Sequence, residues 1–458
     1  MTITTALDAL EQVLGDRLSR SKPDLTAHGQ SESHFPVTPP DAVAYPRTTK
    51  EVSQILSVCA QHSCPVIGYG AGTSLEGHTA AISGGVSVDF RDMAAVIEVR
   101  AEDMTVRVQP GITREALNEE LRATGLFFPV DPGANATIGG MAATRASGTT
   151  AVRYGTMRDN VMALEVVMAD GRIIRTGSAA RKTSAGYDLT ALMVGSEGTL
   201  GLITELTLKL QGQPEAIGAA TCAFGDIEAA IAAVTATIAM GIPMARIEFL
   251  DAASVAAVNA HSKASFPEMP HLMVEFHGSD SAVAEQAERF GEIVADFGGS
   301  DFDWATRAED RSRLWQMRHT AYWAILGWKQ GAKAIVTDVC VPISTLAQAV
   351  SETQADIAAS PIPAPILGHV GDGNFHAILL IDPDSATERA AAKDLAARMA
   401  ERALALGGTV TGEHGVGMGK LDYMTAEHGA GWDVMAGIKR ALDPQNIMNP
   451  GKVVRTNG

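Results

Sequence analysis

Three clusters of glycine and other small residues, all between Gly68 and Ile203, restrict this chain more than any other feature. The first, Gly68-Tyr69-Gly70-Ala71-Gly72-Thr73-Ser74-Leu75-Glu76-Gly77, follows a short β-branched run at Pro65-Val66-Ile67. The second runs from Asp131-Pro132-Gly133 through Gly139-Gly140-Met141-Ala142-Ala143 to Ala146-Ser147-Gly148 and Arg153-Tyr154-Gly155. The third is Gly195-Ser196-Glu197-Gly198-Thr199-Leu200-Gly201-Leu202-Ile203. Glycine permits sharp turns and lets backbone N–H groups approach an anion closely, so each loop alone reads either as a tight turn or as a phosphate cradle. The first is not a dinucleotide fingerprint, because counting from Gly70 puts Leu75 where the third glycine belongs. Nor is it a P-loop, since His78 stands where the phosphate lysine is required. Their conjunction points to a long flat ligand lying along backbone.

A length of 458 residues allows two or three domains, and 46% hydrophobic against 19% charged residues excludes a disordered chain. A formal charge of −17 disfavours nucleic acid or an anionic membrane as the main partner. The four cysteines, Cys59, Cys64, Cys222 and Cys340, form no CxxC and no framework, which suits a reducing compartment. Met1 to Leu18 carries Asp8, Glu11, Asp16 and Arg17 among its apolar positions and lacks the pattern of a signal peptide. No run approaches the ~20 apolar residues of a membrane span. The expectation is a soluble cytoplasmic protein, with peripheral membrane contact still compatible.

Residues 1–37 read as a lead-in, with a short amphipathic helix carrying Leu7, Leu10, Val13 and Leu14 and no evident chemistry. Thr48 or Thr49 caps a helix bearing Val52, Ile55, Leu56 and Cys59, and short strands follow at Val66, Val86–Phe90 and Val106–Gln109. Residues 38–212 thus form one α+β domain. Residues 213–458 form a second, with a helix over Ile227–Met240, a strand at Leu272–Phe276 and a helix over residues 384–406.

The sharpest local signal is Gly368-His369-Val370-Gly371-Asp372-Gly373-Asn374-Phe375-His376. Asp-Gly is a strong two-residue hairpin turn, and centred there it sets His369 directly opposite His376, ~5 Å apart on one face, suited to a shared metal. The plainer reading is two ordinary hairpin histidines. Gly412-Glu413-His414-Gly415-Val416-Gly417-Met418-Gly419-Lys420 supplies Glu413 as a third, carboxylate ligand and His414 as a neighbouring base. A Glu-His pair of this kind is otherwise a solvated loop.

The three glycine clusters closely resemble the FAD-binding domain of the vanillyl-alcohol oxidase superfamily. The histidine segments, with Ile438-Lys439-Arg440-Ala441-Leu442-Asp443-Pro444-Gln445-Asn446-Ile447-Met448-Asn449-Pro450-Gly451-Lys452, resemble the C-terminal half of FAD-dependent, cytochrome-linked D-lactate dehydrogenases over about residues 38–453. The resemblance implies an α+β chain in which a two-subdomain FAD-binding domain is joined to a substrate, or cap, domain whose C-terminal segment returns to the flavin. It puts Gly70, Ala71, Gly72, Thr73 and Ser74 on the pyrophosphate. Gly140, Gly148, Tyr154 and Gly155 line the flavin, Glu197, Gly198 and Ile203 contact the nucleotide half, and Pro132, Gly133, Ala143, Ser147, Gly201 and Asn449 complete the cofactor set. Thr73 stands roughly where covalently tethered members carry histidine, which implies noncovalent FAD, and His78 then reads as a loop side chain. The metal, Zn or Mn, falls to His369, His376 and Glu413, and catalysis to His414.

Leu314-Trp315-Gln316-Met317-Arg318-His319-Thr320-Ala321-Tyr322 resembles the family segment whose arginine holds the substrate carboxylate. Arg318 is otherwise an ordinary surface helix residue, and Lys333, placed as a second cation, is otherwise solvated. Trp315, Tyr322 and Trp323 read as core aromatics, with Tyr322 the one that could face the pocket. Ile378 stands where related D-2-hydroxyglutarate dehydrogenases carry asparagine, which favours a small or apolar substrate tail.

The implied reaction is metal-assisted oxidation of a D-2-hydroxy acid to a 2-keto acid, with His414 taking the hydroxyl proton and the hydride passing to flavin. The acceptor would be a cytochrome, a quinone or an electron-transfer flavoprotein, and a homodimer is compatible. Glycolate oxidase and D-2-hydroxyglutarate dehydrogenase share most of these motifs. Other classes stay open: an electron-transfer flavoprotein subunit with a structural metal, or a metal-binding protein without flavin.

Overall fold

The computed structural model describes residues 3–456, the side chain of His319 excepted. The chain forms two units: Met1–Gly148, Gly155–Gln213 and Glu413–Gly458 make one, Thr149–Tyr154 and Pro214–Gly412 the other.

In the first unit a four-stranded sheet runs in the order Leu18–Ser19, Ala42–Ala44, Val86–Asp89, Val66–Tyr69, its last three strands parallel. Parallel neighbours need a crossover, and helix Thr49–His62 provides the one between Ala42–Ala44 and Val66–Tyr69. The Thr48 side chain accepts from Glu51 N at its start; at its end Ser63 adopts φ +51 and Cys64 N donates to Cys59 O. Val52, Ile55, Leu56 and Cys59 bury its inner face, as their spacing predicts. The amphipathic helix Ile3–Leu14 packs into the same core, and Leu18–Ser19 pairs with Val43–Ala44, so the lead-in is woven into this sheet.

The unit's second sheet is antiparallel, in the order Val96–Arg100, Thr105–Val108, Gly201–Lys209, Val161–Met168, Ile173–Gly177. Leu164, Val166 and Met168 enter its own core while Val167 enters the core of the first sheet, so alternation along one strand joins the two layers. The C-terminal segment adds Met448 beside Val66 in a parallel bridge.

The second unit is one antiparallel sheet in the order Ser300–Ala305, Ala216–Ala223, His271–Gly278, Met244–Leu250, Ile366–Gly368, Asn374–Ile381, Lys333–Val336, with Val339–Cys340 also on Asn374–Ile381. One face is apolar: Ile247, Phe249, Leu272, Val274, Phe276, Phe375, Ala377 and Leu379 pack under helices Ile227–Ala239, Asp280–Asp296, Leu346–Ala358 and Ala386–Ala405. On the other face Leu250, Met273, Ile378 and Leu380 pack with helices Ala252–Ser262 and Ala308–Trp328. Glu248, Glu275, His277 and His376 alternate onto that second face, so half of it is buried and polar.

Helix Ala308–Trp328 corrects one aromatic assignment. Trp315 is buried, but Trp323 is 64% exposed, because positions 314, 315, 317, 321, 324 and 325 carry the buried stripe and 323 points away from it. Tyr322 lies half-buried, edge-on to Trp323 with ring centroids 5.2 Å apart.

Candidate active site

In the first unit the glycine clusters converge. A Cβ on Gly70 would overlap Thr137 Oγ1, and one on Gly72, at φ +72°, would meet Tyr69 Oη. Thr137 caps helix Ile138–Thr144, accepting from Gly140 N, so the first loop lies against the start of the second cluster. Gly148 has φ +125° and no room for a side chain against Asp131 O and Pro132. Gly195 N and Glu197 N donate to Ala142 O and Ala143 O at 2.9 and 2.8 Å, which ties the third cluster to the second. Ser147 and Gly155 flank this region, while Gly133, at φ +81°, has open space where a side chain would be. The result is a cradle walled by backbone at positions that exclude side chains, and it fits a flat phosphate-bearing cofactor such as FAD.

Several predicted contacts take other parts. The Glu197 carboxylate accepts from Val416 N at 2.7 Å and Gly417 N at 2.8 Å and pairs with His78 Nε2 at 3.0 Å, with Glu197 itself at φ +54°. His78 is therefore a buried ion-pair partner rather than a loop side chain: burial opposes its charge, but Glu197 and then Glu76 hold its pKa above the usual histidine value. Asn449 Nδ2 donates to Glu197 O at 2.8 Å and His78 O at 3.2 Å, closing the C-terminal segment onto these loops. Ile203 points into the core, and Gly201 lies close beside Val166 on the neighbouring strand. Glu413 and His414, both half-buried, lead directly into the segment that Glu197 anchors.

In the second unit the histidine hairpin is wider than its Asp-Gly pair predicts. Leu367, not His369, opposes His376, and Ile366 opposes Ala377. The turn opens because Asp372 N and Asn374 N both bond to His369 O, and Gly373, at φ +81°, lies against Val341 O. A register shift of two residues keeps the face, so His369 and His376 become diagonal neighbours with ring centroids 5.6 Å apart and nitrogens within 4.8 Å.

Both rings are oriented through Nδ1. That of His376 bonds to Thr337 O at 2.9 Å, and that of His369 to Glu248 Oε1 at 2.6 Å. Glu248 is fully buried, and its second oxygen accepts from Arg318 Nε at 2.7 Å. Burial alone would raise the Glu248 carboxyl; His369 and Arg318 outweigh it and hold the pKa below the ordinary glutamate value. With Nδ1 engaged, Nε2 is the nitrogen each ring would present to a metal, an arrangement frequent around metal-binding histidines. This donor set fits a divalent transition metal.

Arg318 is thus held by a buried carboxylate rather than lying on the surface, and Tyr322 follows it at i+4 on the same helix face. Lys333 opens an outer strand opposite Ile381 with its side chain exposed. Ile378 is buried on the His376 face beside Leu367 and Trp315. Tyr154 belongs to this unit and bonds to His277 Nδ1 at 2.6 Å; His277 Nε2 in turn meets Glu275 at 2.7 Å. Gly412 packs closely on Asn374, and Thr411 Oγ1 donates to Asp338 at 2.8 Å, so the chain leaves this unit, one residue before Glu413, beside the strand carrying His376.

Sequence reasoning missed Glu248, Glu275 and His277. Their only signal is a charged or polar residue inside an otherwise apolar strand, as in Arg246-Ile247-Glu248-Phe249-Leu250.

Comparison with known proteins places both parts of the chain in one family. Residues 40–177 match a family model described as FAD binding domain, and residues 213–453 one described as FAD linked oxidases, C-terminal domain. The probable mitochondrial D-lactate dehydrogenase of Danio rerio is 50% identical over 93% of this chain and 87% of its own length. The mitochondrial D-lactate dehydrogenase (cytochrome) of Arabidopsis thaliana is 44% identical over 98% of this chain and 80% of its own. Among solved structures, 4-ethylphenol oxidase from Gulosibacter chungangensis superposes with TM-score 0.83 at 18% identity, covering 98% and 97% of the two chains. The mitochondrial names overturn the expectation of a cytoplasmic protein. Sparse, unpaired cysteines suit any reducing compartment, so composition could not separate the cytosol from an organelle interior. No helix among the described residues is long and apolar enough to cross a membrane.

Proposed function

Since the chain belongs to the FAD-linked oxidases and groups there with D-lactate dehydrogenases, we propose that it oxidises a D-2-hydroxy acid, D-lactate foremost, to the 2-keto acid. When bound, FAD accepts the hydride, and a divalent metal, Zn or Mn, polarises the hydroxyl. The chain's own part is binding and proton handling. Gly70 to Ser74 and the loops at 132–148 and 197–201 hold the cofactor noncovalently, since Thr73 offers no imidazole for a tether. His369, His376 and Glu413 hold the metal. Arg318 binds the substrate carboxylate through a charge-assisted pair, His414 takes the hydroxyl proton, and Tyr322 lines the pocket. Ile378 keeps the region around the acid's tail apolar. The exposed Lys333 supplies long-range attraction rather than a direct contact, and electrons pass on to a cytochrome.

The observation that carries this reading is the His369–His376 pair, on one face and oriented through Nδ1 by Glu248 and Thr337. The test is the visible spectrum of the purified protein without oxygen, before and after D-lactate and, separately, L-lactate. Bleaching of oxidised flavin by the D form alone is expected. A flavin that neither lactate bleaches moves the substrate to glycolate or D-2-hydroxyglutarate, and a colourless protein after FAD is supplied overturns the reading.

A further inference from the structure

Glu248 has one carboxylate and two partners with different tasks. Oε1 receives the Nδ1–H of His369 at 2.6 Å, and Oε2 receives Nε–H of Arg318 at 2.7 Å. The glutamate is wholly buried, whereas the Arg318 side chain keeps 18% of its exposure. A carboxylate without water is costly unless its partners are in place, so Glu248 fixes both side chains at once. The sheet dictates this: Glu248 sits opposite Met273 on strand Met244–Leu250, whose Phe249 and Leu250 pair with the strand leading directly to His369. Helix Ala308–Trp328 carries Arg318 over the same face.

We propose that Glu248 is a positioning residue that couples metal binding at His369 to recognition of the substrate carboxylate by Arg318. A cation on Nε2 makes the Nδ1–H of His369 a stronger donor and draws the Glu248 charge towards it. Glu248, held more firmly, then fixes the Arg318 guanidinium it orients where an anionic ligand can reach it. By linkage, an anion that settles Arg318 against Glu248 also steadies His369 and tightens the metal by the same factor. This rests on the reading of His369 as a metal ligand and Arg318 as the carboxylate binder, neither of which assigns a task to Glu248.

The test uses Glu248→Gln in the FAD-loaded full chain. Stripped protein is titrated with Zn(II), and separately Mn(II), against a chromophoric chelator, and D-lactate kinetics are then measured at saturating metal. Metal affinity is expected to fall roughly 10- to 100-fold, and KM for D-lactate to rise about tenfold with kcat changing less. Glu248→Asp, which keeps the charge but is too short to reach both partners, should show the same pair of losses and answers the question should the glutamine variant not fold. Loss of metal affinity without a KM change, a KM change alone, or a lowered melting temperature with neither, overturns the coupling. Failure of the underlying reading looks different: wild-type protein itself then takes up neither ion or ignores D-lactate.

Discussion

The two units gather their polar groups in opposite ways. Around residues 70–74, 137–148 and 195–198 the first unit offers backbone, at positions such as Gly70 and Gly148 where a Cβ has no room. Around His369 and His376 the second offers side chains on strands, each steadied by another: His369 by Glu248, His376 by Thr337, Asn374 by Asp338 at 2.7 Å. A backbone cradle tolerates no added atom at its wall. A side-chain site depends on its donors and does not tolerate the loss of one.

The largest effect should come from removing a donor. His376→Ala is expected to leave the flavin spectrum intact while slowing its bleaching by D-lactate roughly a thousandfold, the several kcal/mol a metal contributes as a Lewis acid. Stopped-flow reduction without oxygen measures this, and a loss below tenfold would remove His376 from the site. The converse in the first unit is Gly148→Ala. At φ +125° and against Asp131 O, the added methyl forces the loop apart, costing about 1–3 kcal/mol from the backbone conformation alone. FAD should be lost on gel filtration while the protein still takes up Zn(II); retained FAD with ordinary affinity would show that this loop is only a turn.

This difference also explains what could be read in advance. Positive-φ glycines write their conformation into the sequence, because few other residues occupy it, so the three clusters and their convergence were legible. The histidine pair was legible as chemistry but placed in the wrong register, since the interaction of Gly373 with Val341 is made by a distant strand. Glu248 was legible only as a charge inside an apolar strand, not as a partner of either side chain. Its meaning comes from helix Ala308–Trp328 and the residue-369 turn arriving from 70 and 121 positions away.

The backbone-built unit also buries a lysine. Lys452 Nζ donates to Ala80 O with almost no exposure, and burial pushes its pKa down to about 8, Glu197 opposing. Between pH 8 and the ordinary lysine value of 10.5 the unfolded chain therefore binds more protons here than the folded one. Stability from this group rises with pH across that window. Relative to Lys452→Met, the wild type should gain up to about 3 kcal/mol between those pH values. Urea unfolding at both ends measures it, and a difference independent of pH would show that the ammonium is solvated.

The smallest effect is expected on the helix that carries Arg318. Trp315 is buried against the sheet, with the Arg246 guanidinium 5.3 Å from its ring centroid, while Trp323 stands mostly in solvent. Both are tryptophans in one helix, and composition treats them alike. Trp323→Gln should change unfolding free energy by less than about 0.5 kcal/mol, whereas Trp315→Ala should cost about 3–5 kcal/mol. Chemical unfolding of the two variants decides whether the stripe at 314, 315, 317, 321, 324 and 325 alone holds the helix in place. If Trp323→Gln proves as costly as Trp315→Ala, the outer face of this helix is covered in solution, and Arg318 is positioned by more than Glu248.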